Sequence, residues 1–88
     1  MELDKSSHTV VYKNQKVVLT LKEFELLQKL MENQGIVLTR EKLLEDIWGY
    51  DYYGETRTVD VHIRTLRSKL NSDFDYIETI RGVGYKLG

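Results

Sequence analysis

The side chains best suited to binding chemistry lie between positions 56 and 70, where arginines, hydroxyl residues and aliphatic residues alternate at helical spacing. On a helix that advances about 100° per residue, four aliphatic residues share one side: Val59, Ile63, Leu66 and Leu70. The opposite side presents polar residues and one aliphatic residue: Arg57, Val61, Arg64 and Ser68, with Thr65 and Asp60 at its edges. The first side can pack in a core, which leaves the second to contact a ligand.

The cations of this segment suggest what that ligand is. Arg57, Arg64 and Arg67 can reach phosphates or guanine edges, because an arginine fork on guanine is the commonest specific major-groove contact. Lys69 adds a fourth positive charge and is also predicted to bind DNA. The pattern is typical of a helix that binds DNA.

The short side chains on the same side fit this interpretation. Thr65 and Ser68 let the backbone approach a groove while offering hydroxyls, and Val61 suits contact with a thymine methyl group. A plainer alternative is a solvated charged face with one tolerated valine. The helix alone does not decide between the two.

A second candidate lies near the C-terminus, where two β-type runs over 76–87 flank Gly82-Val83-Gly84 and predict a hairpin. Arg81 lies at its tip, and an arginine on a thin protrusion fits a narrow A·T-rich minor groove. The glycines permit the tight turn and leave no side chain to block a close approach to DNA, so Gly82 is also predicted to contact DNA. Thr79 and Lys86 could add phosphate contacts. An arginine at a hairpin tip can also be merely solvated.

Composition and charge set limits on the class of protein. The 88 residues contain no cysteine, which excludes disulfides and thiolate metal sites, and they predict one domain over 1–88. Positions 1–55 hold 7 Lys/Arg against 10 Asp/Glu, whereas positions 56–88 hold 6 against 4. The basic part could therefore orient the chain on a polyanion despite a net charge of −1. No apolar run is long enough to span a bilayer, so we expect a cytoplasmic protein.

The elements that position these residues follow from periodicity and capping signals. We predict an N-terminal antiparallel sheet over 2–20, with a turn at Asn14-Gln15. Helices are predicted over about 20–33, 40–48 and 56–70, the first opened by a capping box from Thr20 to Glu23. The hairpin over 76–87 comes last. Three helices followed by a hairpin predict an α+β fold, a winged helix-turn-helix.

The sequence contains few of the motifs expected of an enzyme or a metal-binding protein. The sequence has no GxSxG motif, no phosphate-binding loop and no pair of histidines at a metal-binding spacing. His62 has only His8 as a possible histidine partner. We therefore expect no enzyme activity, no cofactor and no metal.

The loop between the second and third helices carries a different chemistry. Its acidic side chains are negatively charged and would be repelled by DNA phosphates, whereas its tyrosines can give a large contact area on a protein surface. The residues concerned are Tyr50, Asp51, Tyr52, Tyr53 and Glu55. They predict a protein-binding loop, although one tyrosine could instead pack on Trp48 and the sheet.

The segments RTVDVHIRTLRSKL and ETIRGVGYKL, with LTLKEFELLQKL and TREKLLEDIWGYDYYGETRTVDVHI before them, resemble the effector domain of OmpR/PhoB-type response regulators. The resemblance covers nearly the whole chain. It implies sequence-specific binding to double-stranded DNA, with the third helix in the major groove and Arg81 in the minor groove. It also implies two copies on direct repeats, a loop that faces RNA polymerase, and a histidine kinase acting on a receiver domain that this chain lacks.

The resemblance assigns roles to individual residues. Arg57 matches a phosphate-contacting position, and His62, Arg64 and Arg67 match positions that touch backbone or bases. Relatives often carry arginine where this chain has Thr65, so their base preference cannot be transferred. Asp60 is within helical reach of Arg57 and Arg64, and we predict that it orients them. The competing function is a winged helix that binds an acidic protein partner.

Overall fold

The computed structural model describes residues 2–12, 14–49, 54–70 and 76–88, and it begins with a small antiparallel sheet. Its strands are β1 (Glu2–Asp4), β2 (Thr9–Tyr12) and β3 (Gln15–Val18), paired in that order. The turn between β2 and β3 contains Asn14 with φ of 63°, a left-handed conformation that asparagine tolerates. The sheet packs on the helices through Val10, which is fully buried.

Two helices follow, each opened by a threonine cap. In α1 (Leu21–Glu32) the predicted capping box is present: the Glu23 amide donates to Thr20 Oγ1 at 3.2 Å, and the Thr20 amide donates to Glu23 Oε1 at 2.9 Å. Helix α2 (Arg40–Trp48) is capped by Thr39, whose Oγ1 accepts from the Lys42 amide at 3.1 Å. These caps satisfy backbone donors that have no partner within the helix.

Helix α3 (Arg57–Leu70) packs across both α1 and α2. Its predicted aliphatic side is confirmed, because each of its four residues is at most 3% exposed: Val59, Ile63, Leu66 and Leu70. These side chains join the leucines of α1 and α2 in one core. The rotation of α3 about its own axis is thereby fixed by burial.

The C-terminal hairpin is the wing: β5 (Ile77–Ile80) and β6 (Gly84–Leu87). A third strand, β4 (Leu38–Thr39), pairs with β6 and gives the sheet order β4-β6-β5. The sequence predicted the hairpin and only an extended connection before α2, so this pairing is an addition. It explains Gly84, where a Cβ would lie 2.0 Å from the Leu38 carbonyl oxygen. The α+β winged helix-turn-helix is confirmed, with its wing tied to the segment before α2.

Candidate nucleic-acid interface

The outer face of α3 is the side opposite its buried residues, and it consists of Arg57, Val61, Arg64, Thr65 and Ser68, all exposed. Arg57 Nε lies 3.2 Å from Glu55 Oε2, with both side chains at least 76% exposed. Such a pair contributes little to stability and exchanges readily for another anion. Arg64 makes no hydrogen bond or ion pair with any residue that the structure describes. The outer face therefore offers two guanidinium groups to a ligand.

The wing tip is a second exposed basic element. The Val83 amide donates to the Ile80 carbonyl at 3.0 Å, and Gly82 between them has φ of 72°. This turn requires a left-handed residue, which glycine supplies without strain. Arg81 is exposed, and it too lacks a hydrogen bond or ion pair within the described part of the chain. Its guanidinium is thus displayed on a thin, well-defined turn.

The wing lies along one edge of the outer face, and Arg67 connects the two. Arg67 Nη2 donates to the Ile77 carbonyl and, at 2.8 Å, to Thr79 Oγ1. Its Cζ also lies 5.8 Å from the centre of the Tyr85 ring. Arg67 and Thr79, both predicted to bind DNA, therefore bind each other and fix the wing against α3.

Asp60, on the same edge, does not orient Arg57 or Arg64, so that prediction was wrong. Its Oδ1 accepts from the Tyr85 hydroxyl and lies 3.1 Å from Arg40 Nε. The contact with Arg40 is an ion pair without hydrogen-bond geometry, and the buried Nε has no hydrogen-bond partner among the described residues. Asp60 thus joins α3 to α2 and to the wing. Burial, reinforced by the Asp60 carboxylate, raises the pKa of Tyr85 to about 12.

The opposite edge of α3 packs against α1 and α2. Lys69 Nζ donates to Glu23 Oε1 at 2.7 Å, and Glu23 is only 3% exposed. Burial favours the neutral acid, but the hydrogen bonds from Lys69 and the Thr20 amide outweigh it and lower the pKa of Glu23 below its usual value. Lys69, predicted to contact DNA, therefore has its ammonium group engaged by the protein itself.

His62 lies on this same edge. Its Nδ1 donates to the Thr58 carbonyl at 2.7 Å, and its ring meets Trp48 edge-on at a centroid distance of 4.9 Å. These contacts leave Nε2 as the remaining ring nitrogen, which can donate to a phosphate oxygen only when the ring carries a hydrogen on both nitrogens. Across the described residues, no cluster of His, Cys, Asp and Glu could hold a metal ion. None of the described helices is long and apolar enough to cross a membrane.

Most of the predicted protein-binding loop falls outside the described residues, namely Tyr50, Asp51, Tyr52 and Tyr53. Its last acid, Glu55, is exposed and pairs with Arg57. The loop remains a prediction.

Sequence reasoning overlooked Arg40 and Tyr85, although both leave a signal. A cation in the first turn of a helix opposes the helix dipole, so Arg40 calls for an acidic partner elsewhere. A tyrosine in an otherwise apolar strand needs a partner for its hydroxyl when it is buried. Asp60 satisfies both requirements.

Comparison with known proteins gives a consistent result. The family described as "Transcriptional regulatory protein, C terminal" matches residues 14–87. The sensory transduction protein RegX3 of Mycobacterium leprae is 46% identical over 90 residues, covering 99% of this chain and 46% of that protein. The chain thus spans less than half the length of this curated relative.

Two solved structures extend the agreement to the fold. The DNA-binding domain of Bacillus subtilis CssR superposes with a TM-score of 0.88 at 35% identity, over 99% of this chain and 98% of that one. The Klebsiella pneumoniae RstA DNA-binding domain, solved in complex with the RstA box, superposes with a TM-score of 0.82 at 32% identity, over 98% of this chain and 88% of that one. The chain therefore belongs to the C-terminal domains of transcriptional regulatory proteins, the OmpR/PhoB-type DNA-binding domains of response regulators.

Proposed function

We propose that this chain binds double-stranded DNA sequence-specifically, as the effector domain of a two-component transcription regulator. Helix α3 enters the major groove with its outer face, and the wing tip places Arg81 in an adjacent minor groove. The observation that carries the proposal is the exposure of Arg64 beside Val61 on a helix whose rotation is fixed by four buried side chains. The RstA domain, which has the same fold, was solved with its DNA box.

The contacts rank the candidate residues. Arg57, Arg64 and Arg81 are the principal cations, because they have exposed partners or none among the described residues. His62 and the Gly82 backbone are suited to phosphates. The remaining outer-face residues lie where bases would be: Val61, Thr65 and Ser68. Arg67, Lys69 and Thr79 would have to give up internal bonds to meet DNA, so their contribution is mainly to hold α3 and the wing in place.

The proposal extends to the partners of the whole regulator. One small domain makes few base contacts, so two copies would bind direct repeats about one helical turn apart. The loop over 50–55 faces RNA polymerase. A histidine kinase phosphorylates a receiver domain elsewhere in the whole regulator. The regulator is cytoplasmic, and the part described by this sequence has no enzyme activity.

A fluorescence-anisotropy titration with promoter-length duplex at two salt concentrations tests the proposal. DNA binding should weaken steeply with salt, in proportion to the phosphates neutralised. Arg81→Ala should reduce that slope by about one if its guanidinium neutralises one phosphate. No duplex binding at low salt would contradict the proposal, and binding to an acidic protein in its place would favour the protein-interaction alternative.

A further inference from the structure

The middle of the outer face is apolar, although charged residues surround it. Val61 is 58% exposed, and Thr65 follows one turn later on the same side of α3. The Thr65 hydroxyl donates to the Val61 carbonyl at 3.0 Å. Residues four apart on a helix have neighbouring side chains, and we call this pair the Val61–Thr65 strip.

The internal hydrogen bond restricts what Thr65 can recognise. A threonine hydroxyl has one hydrogen and two lone pairs, and here the hydrogen is directed at the helix backbone. Thr65 consequently has no donor for guanine O6 or N7, nor for adenine N7. Its oxygen can still accept from adenine N6 or cytosine N4. What it presents to a groove is a methyl group beside an acceptor.

The surroundings of the strip indicate a nucleic acid as its partner. Arg57 lies one turn before Val61, and Arg64 is next to Thr65 in the sequence, so the strip is bordered by cations. Cations around an apolar centre suit a groove in which phosphates flank base edges. In the major groove the apolar group that distinguishes one base from the others is the thymine C5-methyl.

We infer that the Val61–Thr65 strip packs against thymine methyl groups, so that the base pairs facing the middle of α3 are A·T. This inference rests on the proposed function, since it requires α3 in the major groove. Recognition rests on the methyl groups, and the Thr65 hydroxyl, whose hydrogen is directed at the helix backbone, contributes little to it. A guanine contact would come from an arginine of the outer face, Arg57 or Arg64, and not from the strip.

Uracil replacement isolates the methyl groups. The 88-residue chain is first used to select a duplex from a random pool at low salt. Each thymine of the selected site is then replaced in turn by deoxyuridine, which removes one methyl group and preserves base pairing. We expect about a fourfold loss of affinity for each methyl that packs on the strip, and no change at thymines outside the α3 site.

Matched variants identify the side chains involved. Val61→Ala and Thr65→Ser each remove methyl groups and should make binding insensitive to one uracil replacement. Thr65→Val keeps a methyl, removes the hydroxyl and should bind within about twofold of the original chain. A large loss with Thr65→Val and none with Thr65→Ser would overturn the inference and make the hydroxyl the base-contacting group.

The outcomes separate the two proposals. Salt-dependent duplex binding with no sensitivity to uracil at any position would contradict the strip and leave DNA binding intact. Failure to bind or select any duplex at low salt would contradict both. A folded chain is confirmed for each variant by its unfolding transition.

Discussion

The outer face of α3 and its two edges carry similar side chains in different surroundings. On the outer face, Arg64 has no polar partner in the described part of the chain, and Arg57 meets only the exposed Glu55. At the edges, Arg67 is bound to the wing and Lys69 to a buried carboxylate. Helical periodicity thus identifies the residues that leave the core, whereas tertiary partners decide which cations remain for a ligand.

The edges also explain how the outer face is held in position. One edge is tied to the wing and α2 through Asp60 and Arg67, and the other to α1 and α2 through Lys69 and His62. Base contacts require side chains to be placed within a fraction of an ångström by rigid surroundings. The internal bonds at the edges therefore support recognition by residues that do not themselves form those bonds.

The largest effect should distinguish two arginines of one helix. Arg67→Ala removes hydrogen bonds from a charged donor to the Ile77 carbonyl and Thr79, and should lower the free energy of unfolding by about 2 kcal/mol. Arg64→Ala should change it by less than about 0.5 kcal/mol, while weakening binding to the selected duplex by about 1–3 kcal/mol. Urea unfolding of both variants measures the change in stability, and fluorescence anisotropy with the selected duplex measures the change in DNA affinity. Equal destabilisation by the two would contradict the distinction.

A smaller effect should follow from Tyr85→Phe, which removes the hydrogen bond to Asp60 and should cost about 1 kcal/mol of stability at neutral pH. Because the folded pKa of Tyr85 is raised, its contribution is complete below the unfolded value of 10.0 and is lost as the pH rises to about 12. Unfolding of both proteins is therefore compared over this pH range. Parallel stability curves for the two proteins would count against the Asp60–Tyr85 contact.

The smallest effect concerns Glu23, at the other edge. Its folded pKa is lowered, so the stability it contributes is present above the usual glutamate value of 4.5 and declines as the pH falls through the folded pKa. Glu23→Gln should flatten the acid limb of the stability curve, and Glu25→Gln on the same helix serves as the control. If Glu23→Gln and Glu25→Gln flatten the acid limb equally, the loss of stability at low pH does not come from the Lys69–Glu23 pair.

Much of the architecture could be predicted because it depends on local signals. Spacing identified the buried side of α3, and the Thr20 capping box marked the start of α1. The turn at Asn14 and the wing at Gly82 required residues that tolerate left-handed backbone. Each of these features is set by residues within a few positions of one another.

The errors and omissions involve partners far apart in the sequence. Asp60 has arginines within helical reach on its own helix, yet it pairs with Arg40 and Tyr85, which lie 20 and 25 positions away. Likewise, the pairing of β4 with β6 depends on the close approach of Leu38 to Gly84. Spacing along one helix cannot reveal such contacts, because they arise only when separate elements pack together.

Dimethyl sulfate protection on a selected duplex tests the central claim most directly, because it methylates guanine N7 in the major groove and adenine N3 in the minor groove. We expect protection of guanine N7 where α3 binds and of adenine N3 in the adjacent minor groove. Arg81→Ala should lose the adenine N3 protection and keep the guanine N7 protection. Arg67→Ala loosens the wing and should weaken the adenine N3 protection. Protection confined to the minor groove, or unchanged adenine protection in Arg81→Ala, would contradict the assignment of α3 and the wing to separate grooves.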